Sequence, residues 1–284
     1  AQQKKRQIMD HKPVYYGEYL QLDKILNAQD PESGKDGKTM AHDEMLFIII
    51  DQSYELWFKQ VLFEVNSIIE IMDKPRVNDN SGDMQAVVHR LNRVVTILRM
   101  LVQKIDILDT MTPMDFLDFR DMLRPASGFQ SWQFKVLEAR LGLKFDNRFG
   151  QQYYLSQLNQ KEIDIIKNAE KGKSVVQLLN SWLERMPFAE DKKYWPEEHN
   201  YWTEYEKIFT GSLSEAEKNN AAFFKHYLFT NDNNAERSLS SKACRSALFI
   251  MLYRGYPMLE LPFQLLNTLL EVDHQLGNWR YRHI

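Results

Sequence analysis

The feature that most constrains the fold is the run of residues 42–60, in which apolar side chains follow a helical period. Their spacing of three or four positions is that of one buried helix face. The positions are Leu46, Ile50, Tyr54, Trp57 and Val61. A second row, formed by Phe47, Asp51 and Glu55, sets carboxylates beside a phenyl ring on one side. From spacing alone, the simpler interpretation is a half-buried helix whose carboxylates pair with Lys or Arg.

The periodic pattern extends well beyond this run. It predicts long helices over residues 42–72 and 84–108, and a short polar turn between them favours antiparallel packing. A first helix is predicted over residues 15–28. Thr112, Pro113 and Asp115 form a helix start, with a capping hydroxyl, a proline at the first helical position and an acid in the first turn.

The remainder of the chain also favours helices, with sparse Gly and Pro and no convincing strand, repeat or low-complexity linker. Further helices are predicted near residues 129–143, 161–171, 175–185, 199–209, 215–229, 238–253 and 259–283, and a loop at 231–234. The sequence therefore predicts an all-α fold, organised as a single helical domain over residues 1–284 and built on long antiparallel helices.

Composition and charge exclude several classes of function. The net charge is −3 with acids and bases interspersed, so we expect no nucleic-acid partner and no anionic membrane surface. The single cysteine, Cys244, rules out an intramolecular disulfide and fits a reducing compartment. No apolar run reaches about 18 residues, and the first residues lack the apolar segment of a signal peptide. We expect a cytoplasmic location.

Several ordered motifs carry a resemblance to a known family. They are HDEMLFIII-x-QSYELWFKQ at 42–60, YGEYLQLD at 16–23, MTPMDF at 111–116, FR at 119–120, PASGFQS at 125–131 and WRYRH at 279–283. Together they resemble the tryptophan 2,3-dioxygenases, which are heme enzymes. The resemblance implies a heme b pocket enclosed by the helices and a homotetramer. It also implies conversion of L-tryptophan and O2 to N-formylkynurenine, the first step of tryptophan catabolism by the kynurenine pathway.

The resemblance implies that His283 is the axial ligand of the heme iron. A five-coordinate heme needs one neutral imidazole on a rigid element. Without the resemblance, a lone histidine at this place would usually be an ordinary surface residue. Ser127 and Gly128 resemble small residues beside the heme edge, where a hydroxyl can hydrogen-bond and a glycine permits close approach. The other histidines show no metal-ligand spacing, so a non-heme metal site is unsupported.

Arg120 is the candidate clamp for the substrate carboxylate, because a guanidinium matches a carboxylate in a bidentate way that Lys cannot. Phe116 precedes it by one turn and Leu123 follows it, which would set the guanidinium in an apolar wall suited to an indole. The alternative from sequence alone is a surface arginine paired with Asp118 or Asp121.

Further substrate contacts follow from the resemblance. It implies an aromatic wall at Phe47 and a place for Ile50 and Asp51 in the substrate pocket. Tyr16 and Tyr19 share one helix face, which alone would suggest a packed pair. The resemblance implies instead that these tyrosines reach the pocket of a neighbouring subunit.

Asp51 is a departure from the family, which carries a catalytic-site histidine there that hydrogen-bonds the indole N–H. A carboxylate can accept the same hydrogen bond, but a buried anion beside the substrate carboxylate costs free energy unless paired or protonated. A second departure is that the sequence ends one residue after His283, whereas the family continues with a loop over the substrate ammonium.

Two alternatives stay open at this point. One is a related heme protein that oxygenates or peroxidises another indole or aromatic substrate, which Asp51 favours. The other is a non-catalytic helical protein that binds an aromatic amino acid, which the short C-terminus favours.

Overall fold

The structure, a computed structural model, describes residues 13–35, 37, 39–143, 157–187, 200–230 and 237–283. Across these residues every regular element is helical, as predicted, and none is a β-strand. The α-helices are α1 (Tyr16–Leu20), α2 (Leu22–Leu26), α3 (His42–Met72), α4 (Gly82–Leu108), α5 (Pro113–Arg120), α6 (Trp132–Leu141), α7 (Gln160–Lys171), α8 (Val175–Leu183), α9 (Tyr201–Ser212), α10 (Asn220–Phe229), α11 (Ser241–Leu252) and α12 (Glu260–Arg282). Short 3-10 turns supplement them at Asp121–Leu123, Gly128–Gln130, Glu215–Glu217 and Pro257–Leu259.

The backbone divides into two compact units, and the division falls inside helix α3. The first unit comprises Ala1–Gln52 and Thr110–Arg124, and the second comprises Ser53–Asp109 and Pro125–Ile284. The single domain expected from the sequence stays a prediction. Each unit is described by itself below.

In the first unit, the helix predicted over residues 15–28 is instead two short helices. Gln21, between α1 and α2, takes a left-handed backbone conformation (φ 52°), which ends one helix before the next begins. Neither helix buries a residue; Ile25 and Leu26 are exposed. The amphipathic pattern therefore predicted the helical conformation correctly, but it wrongly predicted one continuous helix.

The loop before α3 is anchored by a buried carboxylate. Glu44 is fully buried, and its side chain accepts hydrogen bonds from the backbone N–H of Glu32 (2.7 Å) and of Ser33 (3.0 Å) and from the Ser33 hydroxyl. The same hydroxyl accepts from the Ala41 N–H (2.9 Å). Burial alone would raise the pKa of Glu44, but the Ser33 and Glu32 hydrogen bonds outweigh it, and the pKa is lowered.

In the second unit, α3 and α4 pack antiparallel, as predicted. Three side-chain contacts pair rising numbers on α3 with falling numbers on α4: Ser53 with Lys104 (3.0 Å), Tyr54 with the Leu101 carbonyl (3.4 Å) and Glu64 with Arg93 (2.6 Å). Of the predicted buried positions on this part of α3, Tyr54 and Val61 are buried and Trp57 is half-buried; of those in the first unit, Ile50 is buried and Leu46 is half-buried. Helix α4 contributes ten buried residues.

Helix α12 lies along α4 and runs parallel to it. Arg99 pairs with Glu271 (2.7 Å), and further on Arg282 pairs with Asp106 (2.6 Å), so the numbers rise together on the two helices. Their carboxyl ends therefore meet at the same end of the second unit.

Some predicted boundaries were wrong. The helix predicted over 129–143 begins only at Trp132, because Ser131 caps it by accepting from the Phe134 N–H (3.3 Å). The helix predicted over 215–229 is a 3-10 turn followed by α10. The predicted loop at 231–234 and the polar first twelve residues lie outside the described part of the chain, as does His199. No helix in the described residues is long and apolar enough to cross a membrane.

The Glu44 anchor yields a stability prediction. We expect Glu44→Gln to lower the free energy of unfolding at pH 7 by about 1.5–3 kcal/mol, because charge-assisted hydrogen bonds are lost in a buried site. Since the folded pKa is depressed, the stabilisation is present above the unfolded pKa of about 4.3 and is lost as pH falls through the folded value.

Urea unfolding at pH 7 and at intervals down to pH 3 measures this effect. The control is Glu18→Gln, which alters an exposed glutamate of the same unit. A difference between wild type and Glu44→Gln that persists unchanged at pH 3 would contradict the prediction.

Candidate functional site

Three phenyl rings form a wall in the first unit. Phe47 on α3 lies 5.6 Å from Phe116 and 5.7 Å from Phe119, and the latter two rings are 5.4 Å apart, measured between centroids. Phe119 is fully buried, while Phe47 and Phe116 are half-buried and keep an accessible surface. The tilted and edge-on ring pairs are the favoured aromatic geometries. The structure thus brings together the predicted Phe47 and Phe116 and adds Phe119.

Arg120 is held over this wall. Its guanidinium carbon lies 5.5 Å from the centre of the Phe116 ring, a cation–π distance. Asp121 pairs instead with Arg124 (3.2 Å), and within the described ranges no carboxylate lies at ion-pair distance from Arg120. The surface ion pair with Asp118 or Asp121 is therefore not formed, and an exposed cation remains beside an aromatic surface.

The position of α5 follows from its local sequence. Thr112 accepts a hydrogen bond from the Asp115 N–H (3.3 Å), and the Asp115 carboxylate accepts from the Thr112 N–H (2.8 Å), which completes a capping box with Pro113 at the first helical position. The predicted helix start is confirmed. It fixes the register that sets Phe116 and Arg120 one turn apart on the same face.

The other candidate substrate residues differ in exposure. Ile50 is buried and Asp51 is half-buried, both on α3, and Leu123 is half-buried in the 3-10 turn that follows α5. Tyr16 and Tyr19 are each 75 % exposed on α1. A packed tyrosine pair, the simpler interpretation of their spacing, is therefore not what the first unit shows.

In the second unit, His283 ends α12 inside an aromatic group. Its imidazole stacks on the Trp279 indole with centroids 4.7 Å apart and planes 15° from parallel, and Tyr54 meets it edge-on at 6.0 Å. Trp279 is buried and in turn contacts Phe134 (4.7 Å) and Phe58 (5.5 Å). The residue pair 279 and 283 meets because positions four apart share a helix face.

The His283 imidazole has the properties of a neutral ligand. The residue as a whole is exposed, but contact of its ring with this aromatic group removes part of its hydration, and this desolvation lowers the pKa of His283. Among the described residues its ring nitrogens have no hydrogen-bond partner. Among the atoms of the described residues, a Cβ added at Gly128 would come within 4 Å of Nε2 of His283 alone, at 3.7 Å, so the glycine leaves space beside that nitrogen.

Ser127 supports the same segment through its backbone. Its hydroxyl accepts from the Phe129 N–H (3.3 Å), and its own N–H donates to the Gln130 side chain (3.1 Å). These bonds shape the 3-10 turn Gly128–Gln130, which brings Gly128 to His283. The structure therefore brings together the predicted Gly128 and His283, with Ser127 in a capping role.

Sequence reasoning missed three members of these two groups. Trp279 and Tyr54 contact His283, and Phe119 completes the phenyl wall. The spacing of four between Trp279 and His283 was a usable signal. Phe119 follows Phe116 by three residues, which is also a helix-face spacing, but only the packed structure shows that both rings contact Phe47 of α3.

Comparison with known proteins assigns the family. The family model for tryptophan 2,3-dioxygenase matches residues 1–227. A tryptophan 2,3-dioxygenase from Alteromonas mediterranea is 43 % identical over 95 % of this chain and 80 % of its own length. Those of Bdellovibrio bacteriovorus and Mus musculus are 38 % and 39 % identical, over 97 % and 95 % of this chain and 82 % and 71 % of their own lengths.

The family model covers most of the chain, and the matches to these three relatives cover 95–97 % of it. The resemblance is thereby confirmed, and with it the predicted dioxygenase class and helical fold. The chain belongs to the tryptophan 2,3-dioxygenase family.

Proposed function

We propose that this protein binds heme b through His283 and adds O2 across the C2–C3 bond of L-tryptophan to give N-formylkynurenine. Family membership implies heme, tryptophan and O2. The observation that carries the residue assignment is the His283 imidazole, which is held by stacking, has a lowered pKa and borders a glycine at Nε2.

The residues around His283 fit a heme. A single protein imidazole would be enough to hold a heme, because the porphyrin itself would supply the other nitrogen ligands of the iron. A neutral ring is the ligating form, and the lowered pKa favours it near neutral pH. The missing side chain at Gly128 leaves room for a large planar group beside Nε2. When bound, the heme supplies the binding and activation of O2.

The first unit supplies the substrate contacts in this proposal. Arg120 holds the carboxylate of L-tryptophan, because its guanidinium has no ion-pair partner in the described residues and offers a bidentate fork. Phe47 and Phe116, with their accessible ring surfaces, bind the indole, and Ile50 and Leu123 complete the apolar surroundings. Binding both ends of the substrate fixes its orientation, which is the main contribution such residues make to the rate.

Asp51 takes the position of the family's histidine in this proposal. Its carboxylate accepts a hydrogen bond from the indole N–H and so orients the ring. No protein group has to act as an obligatory base, so the residue at this position contributes mainly by orienting the substrate. Aspartate in place of histidine can therefore keep this role. The cost is electrostatic, since a second carboxylate in the pocket disfavours the bound carboxylate of the substrate.

The exposed tyrosines support a proposal about assembly. Tyr16 and Tyr19 present two amphipathic rings, 75 % exposed, on a five-residue helix that buries nothing. Such rings are typical interface anchors. We propose that they contact a neighbouring subunit in a homotetramer.

One observation favours a second candidate function. Asp51 changes the charge of the substrate pocket, and a heme protein that oxygenates or peroxidises a different indole would also use the phenyl wall. An indole without a carboxylate avoids the repulsion. Product analysis with L-tryptophan and with indole or tryptamine separates the two candidates.

The heme assignment predicts the effects of two substitutions. His283→Ala should abolish the Soret band of a five-coordinate, histidine-ligated ferrous heme after hemin reconstitution, because the axial ligand is removed. Gly128→Val should weaken hemin binding by about tenfold or more, because its methyl groups occupy the space beside Nε2.

Gly277→Val is the matched control, since Gly277 lies on α12 and, in the part of the chain that the structure describes, no atom beyond its own helix backbone and chain neighbours lies within 4 Å of an added Cβ. Hemin titration of the apoprotein measures all three variants. A histidine-type Soret band in His283→Ala would overturn the axial assignment.

The carboxylate clamp predicts a change in substrate binding. Arg120→Lys should lower kcat/KM for L-tryptophan by about 10- to 100-fold, mainly through KM, because one point charge replaces a bidentate fork. Arg124→Lys, which alters a surface arginine paired with Asp121, should leave kcat/KM unchanged. Equal losses in the two variants would show that the clamp lies elsewhere.

The role of Asp51 is tested by restoring the family's residue. Asp51→His should bind L-tryptophan about tenfold or more tightly, because a carboxylate is removed from the pocket while the hydrogen-bond acceptor is kept. Asp118→His makes the same exchange at an exposed position of the first unit and should change nothing. Substrate affinity and turnover that are the same in Asp51→His and wild type would refute this role.

A further inference from the structure

The last turn of α12 carries an arginine on each side of its aromatic face. Trp279 and His283 share that face. Residues are 100° apart around a helix, so Arg280 lies to one side of Trp279 and Arg282 lies to the opposite side of His283. The stacked pair is thus bracketed by two guanidinium groups.

Each arginine binds a different helix of the second unit. Arg280 pairs with Glu138 of α6 at 2.8 Å, and Glu138 is itself buried. Arg282 pairs with Asp106 (2.6 Å) and Asp109 (3.3 Å) at the end of α4 and donates to the Val102 carbonyl (3.2 Å). The end of α12 is therefore tied in two directions.

We propose that Arg280 and Arg282 are positioning residues that set the direction of the His283 imidazole. The inference rests on the proposed role of His283 as heme ligand. A metal-bound histidine is usually oriented by a hydrogen bond from its second ring nitrogen. In the described part of the chain His283 makes no such bond, so its direction depends on stacking and on where the helix end is held.

The positive charge of Arg282 also reduces electrostatic repulsion between the ends of α4 and α12. Helices α4 and α12 run parallel, so their negative carboxyl ends meet, and Asp106 and Asp109 add two carboxylates there. Arg282 is the cation between them. Its removal leaves a carbonyl-rich helix end facing two carboxylates, which pushes the turn bearing His283 away from α4.

The same helix pair provides a matched control. Arg99 of α4 pairs with Glu271 of α12 through the same chemistry, at a distance of 2.7 Å. Glu271 precedes His283 by twelve residues, or about 18 Å along the helix. If Arg282 acts only by docking α12 on α4, then Arg99→Gln and Arg282→Gln should behave alike.

The first measurement uses apoprotein, so that it does not depend on heme. Stacking on Trp279 shifts the ring protons of His283 upfield in the NMR spectrum of protein labelled with 13C-histidine. We expect Arg282→Gln and Arg280→Gln to lose most of this shift, whereas Arg99→Gln keeps it. Melting temperatures should fall by no more than about 4 °C in the Arg282 and Arg99 variants, because both pairs are solvent-exposed.

The second measurement uses hemin-reconstituted protein. Transfer of hemin to excess apomyoglobin should be about tenfold or more faster for Arg282→Gln than for wild type. The iron–histidine stretching band of the ferrous form should shift or broaden in this variant and stay unchanged in Arg99→Gln. Arg282→Lys should restore part of the retention, because it keeps the cation but loses the fork.

The outcomes distinguish the positioning role of Arg280 and Arg282 from the proposed role of His283 as heme ligand. The inference is overturned if Arg282→Gln and Arg280→Gln keep the wild-type ring shifts and hemin transfer rates. It is also overturned if Arg99→Gln loses the ring shift and retains hemin no better than they do. Either result leaves the heme assignment intact. A histidine-type heme spectrum in His283→Ala overturns the heme assignment, and the apoprotein ring shifts then still decide whether the arginines position the imidazole.

Discussion

The packing of aromatic rings around Trp279 is the interaction on which the second unit's site depends. Its indole contacts Phe58 of α3 and Phe134 of α6, and His283 stacks on it from its own helix. Each such pair contributes about 0.5–1.5 kcal/mol beyond the area that it buries. Because these rings belong to three helices, the end of α12 can take its place only when α3 and α6 are already packed. The position of the imidazole therefore depends on tertiary structure.

In the first unit, polar groups fix the ends of the segments that present the candidate site. The Glu44 carboxylate gathers the loop at Glu32 and Ser33, and the Thr112–Asp115 capping box starts α5. Both devices satisfy backbone N–H groups that would otherwise be buried or left open at a helix end. The phenyl wall and Arg120 are then presented by segments whose ends are fixed, which suits a surface that must hold a small molecule in one orientation.

Apolar spacing along the long helices and capping sequences at helix starts made much of the fold predictable. Helix α3 has the bounds that its apolar spacing predicts, and α5 starts at the predicted cap. Local backbone conformations were harder to predict. The left-handed conformation of Gln21 splits the first predicted helix, and hydrophobic periodicity does not indicate it. Site residues that depend on long-range packing, such as Phe119, were also out of reach. The resemblance named His283, and the spacing of four could have indicated Trp279, but the contact of Tyr54 with His283 emerges only from the packed structure.

The arginines of α12 also bear on the charge of the His283 imidazole, because they pair with the acids beside the last turn of the helix. A carboxylate close to a histidine stabilises the imidazolium and raises its pKa. The acids around the end of α12 are bound elsewhere: Glu138 pairs with Arg280, and Asp106 and Asp109 pair with Arg282. Burial against the aromatic rings is then the effect that remains, and it lowers the pKa of His283. The two arginines therefore have two roles at this helix end. They hold the turn that carries His283, and they pair with the carboxylates that would otherwise favour the charged imidazolium.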